Sequence, residues 1–326
     1  MFQSEKKQLS RFFQLFIFNF QLSIFNLMNN RKWKGNTGGS FFGQNSLIFF
    51  FKYFDVRIFY VVMALIVPFY MIFSRSNCKA IYRFFRIRMG YSPCKSLLKT
   101  YKNHYIFGQI VLDRFVVFAG RKDFFNIEIV GNEHYNRLKS GEKGFIIASS
   151  HVGNYEIAGY YLLAEPKKMN ALIFAGETET VLKNRSEIMS RNNIHTIPVL
   201  GDMSHLFAAS AAIQNGEILS MPCDRNHGSA KSVECDFFGG KAGFPVGAFS
   251  FAANFNVEIL SIFVIKKSAR NYTVYVNPVA ISEKQKEESK KQEKIKLLAQ
   301  SFVNELEKIV RKYPEQWFNY YEFWKN

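Results

Sequence analysis

Phe145–Glu156, FIIASSHVGNYE, is the stretch whose reading decides the fold. Its first four residues, Phe145–Ala148, are apolar and read as a buried strand. Two serines follow, then His151, Gly153, Asn154 and Glu156, with a helical pattern beyond. A histidine just past a strand end and before a helix stands where open α/β sheets hold their sites. Its ordinary pKa suits a general base. A carboxylate five residues on can hold the other ring nitrogen, fixing the tautomer and stabilising the charged form. On a continuous helix five residues sweep about 500°, well off one face. The pairing therefore requires a turn at Gly153, a freedom that glycine supplies. The bland alternative is that the pair is incidental and His151 structural.

From about Phe124 onward, short apolar runs alternate with polar helical stretches. Expected strands are Phe145–Ala148, Ala171–Phe174, Glu217–Met221, Val257–Ile265 and Tyr272–Val276. Expected helices lie around Glu156–Leu163, Thr178–Asn192 and Met203–Asn215. Such alternation predicts a layered α/β/α domain with a mixed, largely parallel sheet. Ser282–Lys296 mixes Lys and Glu densely and reads as a solvated helix face. It runs into an apolar stripe of Ile295, Leu298, Phe302, Leu306 and Ile309, which Pro314 ends.

The N-terminal third is different. Phe13–Asn19, FQLFIFN, and Phe20–Asn26, FQLSIFN, form a tandem heptad of low complexity. Two copies are too few for a coiled coil. A signal peptide is disfavoured by the interrupting Asn and Gln and by the lack of a small-residue cleavage site. Residues 1–27 instead read as translated upstream sequence, with a start at Met28. Met28–Gly43 is basic and Gly-rich. Ile58–Phe73 is free of charge, with Pro68 inside, and falls short of the ~20 residues of a spanning helix. A membrane-associated helix and a buried core helix both fit it. Arg75, Lys79, Arg83 and Arg86 then recur at helical spacing, as a stripe for an anionic leaflet or as a solvated face. The division expected is a leader over 1–43, membrane-associated helices over 44–100 and a catalytic domain over 101–326.

Composition narrows the partners. The 326 residues carry 43 Lys and Arg against 26 Asp and Glu, a net charge of +17, and 36 Phe. An anionic partner and apolar surface are both implied, which a membrane or lipid satisfies and nucleic acid satisfies only in part. The four cysteines, Cys78, Cys94, Cys223 and Cys235, form no C-x-x-C pair, so neither a disulfide framework nor a zinc module is indicated. Cys223 reads as a buried strand-end thiol rather than a nucleophile. His195 and His205 read as structural, and His227 as a neighbour of the site.

Four ordered blocks together resemble the late (lauroyl/myristoyl) lipid A biosynthesis acyltransferases of the glycerolipid acyltransferase-like superfamily. HVGNYE at His151–Glu156 matches the family's H-x4-D/E block. MPCD at Met221–Asp224 resembles its P-D-x-D segment, with Asn226 at the second acidic position. Phe237–Gly239 with Ala242 and Gly247 resembles F-F-G-x-x-A, and YPEQWF at Tyr313–Phe318 the C-terminal P-E-Q-W signature. The sequence departs from the family at Phe244–Pro245, and at Asn319–Lys325, NYYEFWK, where the family often ends in a Trp-x-His-Arg-Arg pattern.

The resemblance implies transfer of a fatty acyl chain from acyl carrier protein, or from acyl-CoA, to a lipid hydroxyl, with no metal or other cofactor. His151 would be the general base and Glu156 its partner. Gly153 and Asn154 would offer oxyanion donors, Arg185 a contact for an anionic acceptor, and Asp224 an ordering role; a solvated charge and a plain turn residue are the alternatives for the last two. Expected partners are acyl carrier protein, a lipid acceptor and an anionic membrane surface, not nucleic acid. The expected location is the cytoplasmic face of the inner membrane. Another acceptor, such as an aminolipid or glycerolipid, and a non-catalytic membrane-binding protein are the competing readings.

Overall fold

The computed structural model describes residues 41–161, 166–174, 179–199, 203–225 and 231–324. The tandem heptads, the Met28 start, the leader as far as residue 40, Asn226 and His227 lie outside the described residues. Among the described residues the chain opens with helices α1 (Phe41–Tyr53), α2 (Val56–Phe73) and α3 (Arg75–Arg83). A π-helical turn, Phe84–Arg88, leads to the long α4 (Pro93–Phe118). Ser92 caps α4 by accepting from the Lys95 N–H, and Pro93 occupies the first turn, where its missing N–H costs nothing. The boundary drawn at residue 100 falls inside this helix.

The α/β part then runs β1 (Asn126–Val130), α5 (Asn132–Ser140), β2 (Phe145–Gly153), α6 (Tyr155–Tyr161), β3 (Met169–Phe174) and α7 (Glu179–Ser190). It continues with β4 (Ile194–Val199), α8 (Ser204–Gln214), β5 (Ile218–Pro222), and a hairpin of β6 (Ser232–Phe237) and β7 (Gly240–Pro245). It closes with α9 (Gly247–Phe255), β8 (Ile259–Lys266), β9 (Asn271–Val279), α10 (Glu283–Glu288) and α11 (Lys291–Lys312). Among the described residues the main sheet has the order β1-β9-β8-β2-β5-β3-β4. Every neighbouring pair is parallel except β8 and β9. The expected mixed, largely parallel sheet is the one observed.

Strand β2 lies between two parallel neighbours, with Ile146 opposite both Leu219 of β5 and Ile259 of β8. A strand buried on both faces needs the unbroken apolar run that Phe145–Ala148 provides. Ile146 and Ala148 face a core shared with Phe263, Phe302 and Leu306. Phe145 and Ile147 face the other core, with Leu112, Phe115 and Ile262. Helices therefore cover both faces of the sheet. The parallel strands β2, β5 and β8 bring their C-terminal ends to one edge.

Four strands, β1, β4, β6 and β7, were not expected. β1 alternates exposed and half-buried residues at a sheet edge. β4 is the opposite edge and carries Pro198, tolerated where a ladder N–H is dispensable. The β6–β7 hairpin is a separate ribbon. The Lys/Glu-rich stretch is also not one helix. The backbone is extended at Ser289 and Lys290, and splits it into α10 and α11.

The sheet edge depends on Gly153. Its φ is +63°, and a Cβ there would lie 1.8 Å from the Val264 carbonyl oxygen. Gly239, at φ +69°, has open space around the same position. Gly153→Ala is expected to lose at least about 2 kcal/mol of stability through strain plus collision, and Gly239→Ala to lose less, from strain alone. Urea unfolding midpoints of the two variants check this, and equal losses would mean that the Val264 contact is unimportant.

Candidate active site

His151 ends the regular part of β2. Its ring Nδ1 lies 2.7 Å from Oδ1 of Asp224, and its backbone N–H donates to Oδ2 of the same carboxylate at 2.8 Å. Asp224 stands just past β5 and is 1% exposed. Strand pairing brings the two together: Ser149 lies opposite Pro222, and Cys223 N–H donates to the Ser149 carbonyl at 2.8 Å. One carboxylate therefore fixes both the backbone and the ring of His151. An ionised carboxylate only accepts, so the Nδ1 proton belongs to the bond with Asp224 and Nε2 is the basic nitrogen. The His151 side chain is 21% exposed, so the ring is reachable from solvent.

Electrostatics suit a resting base. Burial lowers the His151 pKa, the neighbouring Arg225 guanidinium lowers it further, and Asp224 opposes both. Burial would raise the Asp224 carboxyl, but the charge and hydrogen bonds of His151, with Arg225 beside it, hold it below the usual range. Arg225 also donates to the Phe318 carbonyl.

Glu156 is elsewhere. It sits on the first turn of α6, where Oε1 accepts from Arg114 at 2.6 Å and from Arg185 at 2.7 Å. Its Oε2 accepts from the Tyr160 hydroxyl at 3.0 Å. Burial would raise this carboxyl, and the two guanidinium groups outweigh it and keep Glu156 ionised. The turn at Gly153 brings no contact between His151 and Glu156. It sends α6 away from the imidazole and into the layer holding α4 and α7. The expected His151–Glu156 dyad is thus replaced by His151–Asp224.

Two further expectations change. The Asn154 N–H donates to the Val264 carbonyl at 2.8 Å, and its side-chain amide reaches the Tyr272 hydroxyl at 3.4 Å. Its backbone N–H and one side-chain N–H are thus directed inward, and the residue is 4% exposed. Gly153 serves the turn described above. Arg185 is 4% exposed and bound to Glu156, so it is not presented to an acceptor. Cys223 is buried, its thiol pushed well above its usual pKa by burial, as a packing cysteine requires. His195 stands on the edge strand β4, three places from β2, and His205 opens α8.

Several residues were missed. Arg114 lies in α4, far upstream and in no recognisable block. Arg225 adjoins Asp224, and Tyr160 follows Glu156 by one helical turn, a spacing that could have signalled it. The PEQW segment also acquires a role. The Phe318 N–H donates to the His151 carbonyl at 3.0 Å, and Val152 bridges Trp317. Gln316 accepts from the Lys266 N–H at 2.9 Å and donates to the Lys266 carbonyl at 2.8 Å. The segment props the strand end that carries His151.

The family model for bacterial lipid A biosynthesis acyltransferases matches residues 112–326, from the last two turns of α4 to the C-terminus. Among curated proteins no match is found.

The folded His151 titrates below the ordinary value of 6.5. Between those two pH values the unfolded chain binds a proton that the native chain does not. Native stability is expected to fall as pH drops below about 6.5, and His151→Gln to flatten that slope. Unfolding midpoints measured across this window check it. An unchanged slope would mean that His151 is not held neutral.

Proposed function

Because the chain belongs to the bacterial lipid A biosynthesis acyltransferase family, we propose that it moves a fatty acyl group from the thioester of acyl carrier protein to a hydroxyl of a lipid A precursor. The observation that carries the chemistry is the pair of hydrogen bonds that Asp224 accepts from the ring and the backbone of His151. Nε2 of His151 takes the proton of the acceptor hydroxyl as its oxygen attacks the thioester carbonyl. The imidazolium that forms is stabilised by Asp224. The tetrahedral adduct collapses, the C–S bond breaks, and His151 returns the proton to the departing thiolate. Arg225 keeps the resting imidazole neutral, so the base is ready before substrate binds. Glu156 acts outside this exchange, joining α6 to α4 and α7 through Arg114 and Arg185.

Support for the donor is the net charge of +17, which complements an acidic carrier protein. The acceptor's phosphate groups would draw on the same surplus. The reading places the protein at the inner membrane, with catalysis on the cytoplasmic side.

Three variants test the roles, assayed in membranes with acyl carrier thioester and a lipid A precursor. His151→Ala is expected to lower kcat by about 10²–10⁴-fold, the usual share of a general base. Asp224→Asn is expected to lower kcat about as much and to move the acidic limb of the kcat–pH profile. Glu156→Gln leaves two buried guanidinium groups facing a neutral amide. It is expected to cost about 3–5 kcal/mol of stability, while whatever enzyme remains folded keeps the wild-type pH profile. A shifted profile in Glu156→Gln, with none in Asp224→Asn, would restore Glu156 as the partner. Mass spectrometry of the lipids in a deletion strain, restored by wild type but not by His151→Ala, identifies the acceptor. Loss of a chain from a lipid other than lipid A would overturn the acceptor assignment.

A further inference from the structure

We propose that α2 lies in the plane of an anionic bilayer, with its outer face among the acyl chains, and does not cross it. Among the described residues α2 is the one helix long and apolar enough to span a membrane, and only 17% of it is buried. Its exposed residues form a single stripe. Ile58, Val61, Leu65, Phe69 and Ile72 recur three and four apart and are each 57–68% exposed. Phe49 and Tyr53 of α1 extend the same apolar surface. Soluble monomers rarely leave so long an apolar face uncovered.

The opposite face is fastened along its length. Tyr60 is buried and hydrogen-bonds Asp113, which is ion-paired with Lys266 at the end of β8. The Tyr101 hydroxyl donates to the Ala64 carbonyl at 3.0 Å, and the Tyr70 ring lies 5.6 Å from that of His104. These partners of α2 all lie on α4, and α4 is itself tied to the sheet. Arg114 binds Glu156, and Asn103 donates to the carbonyls of Glu315 and Trp317 at 3.0 and 2.9 Å. A helix crossing a ~30 Å hydrocarbon layer in this arrangement would drag α4, the Asp113–Lys266 pair and the end of the sheet in with it. Ionised groups and open strand ends do not belong there. An in-plane helix has no such conflict, because the fastened face remains on the water side.

Charge names the lipid. Residues 41–100 contain nine Lys and Arg and a single acid, Asp55. Lys52 stands exposed at one end of the stripe, beside Arg57, whose charge is engaged by Asp55 at 2.7 Å, and Arg75 and Lys79 stand exposed beyond the other. Long basic side chains beside an apolar face can reach phosphate groups while their stems stay in the interface. Not all of the predicted basic stripe contributes. Arg83 pairs with Glu322 at 2.8 Å, and Arg86 donates to the Tyr91 carbonyl.

The test is topological and does not depend on the chemistry of His151. Lys52→Cys and Ser76→Cys, introduced singly into a full-length chain carrying Cys78→Ser and Cys94→Ser, place a thiol on the water side at each end of α2. With a membrane-impermeant maleimide applied in parallel to spheroplasts and to inverted inner-membrane vesicles, both ends are expected to react from the cytoplasmic side and neither from the other. Labelling of one end from each side means that α2 crosses, and overturns the proposal. Independently, Leu65→Arg with Phe69→Arg is expected to lower partition onto phosphatidylethanolamine–phosphatidylglycerol vesicles roughly a hundredfold, with an unchanged unfolding midpoint. Wild-type partition of that variant overturns the proposal. So does a lipid-free dimer that the variant dissociates, which would mean that a second copy covers this face.

Discussion

Gly153 sits at φ +63°, and a Cβ there would come 1.8 Å from the Val264 carbonyl oxygen, so only glycine fits where β2, after a register shift beyond Ser149, meets β8 again at Val264. The same carbonyl then receives the Asn154 N–H, which closes the turn and starts α6 at a fixed angle. Two residues earlier, just past the last regular pair at Ser149, the backbone of His151 is held by Asp224 and Phe318. Three residues later, Glu156 is already on the far side of the turn. A side chain at position 153 would disturb both at once. The loop is thus a rigid joint between a strand that presents a base and a helix that carries a carboxylate away from it.

That joint sorts two buried carboxylates into different duties. Asp224 has one mobile proton nearby, that of the imidazole, and one guanidinium at its side. Glu156 has two guanidinium groups and a phenol, and no titrating neighbour that changes charge near neutral pH. Pairs of titratable groups whose surroundings push them apart mark acid–base assignments. On the proposed reading, His151 is the member that takes up a proton here and Asp224 the carboxylate that stays ionised beside it. Glu156, Arg114 and Arg185 make a fixed ionic knot between three helices. Such a knot is weak evidence for stability in itself, since desolvation consumes most of the attraction. Its value lies in the geometry it imposes.

Much of this was legible in the residues. The apolar run at Phe145–Ala148 and the later runs at Ile218, Ile259 and Tyr272 announced the core of the sheet, because strands buried on both faces must be apolar throughout. β1 and β4 escaped notice because edge strands carry polar residues, as Asn126, Glu128 and His195 do. His151 was visible from its place after a strand. Its partner was misread because sequence spacing favours the near carboxylate, whereas pairing of β2 with β5 delivers the distant one. Nothing local marks Arg114 either. Its role exists only once α4 is laid against α6. The PEQW block could be recognised as a signature, but its purpose, clamping Lys266 and propping His151, required the tertiary contact.

The phenylalanine excess implied apolar surface, and α2 holds part of it there, at Phe69 and Phe73. A larger part forms an aromatic lock around the β6–β7 hairpin. Phe238 occupies the turn at φ +50°, a left-handed setting that costs a non-glycine residue about 1–2 kcal/mol. Its ring packs edge-on to Phe84 at 5.4 Å and under the Arg311 guanidinium at 4.5 Å. Burying such a ring contributes about 1.5–3 kcal/mol, enough to offset the turn. Trp324 stacks on Phe237 at 5.6 Å and donates from Nε1 to the Phe237 carbonyl at 3.0 Å, with Phe323 packed on Phe244 at 5.3 Å. Phe244 lies in this hairpin and Phe323 and Trp324 in the NYYEFWK tail. They touch each other. The aromatic tail and the aromatic hairpin therefore pack as one unit, and the strand carrying His151 is braced from that side through Trp317.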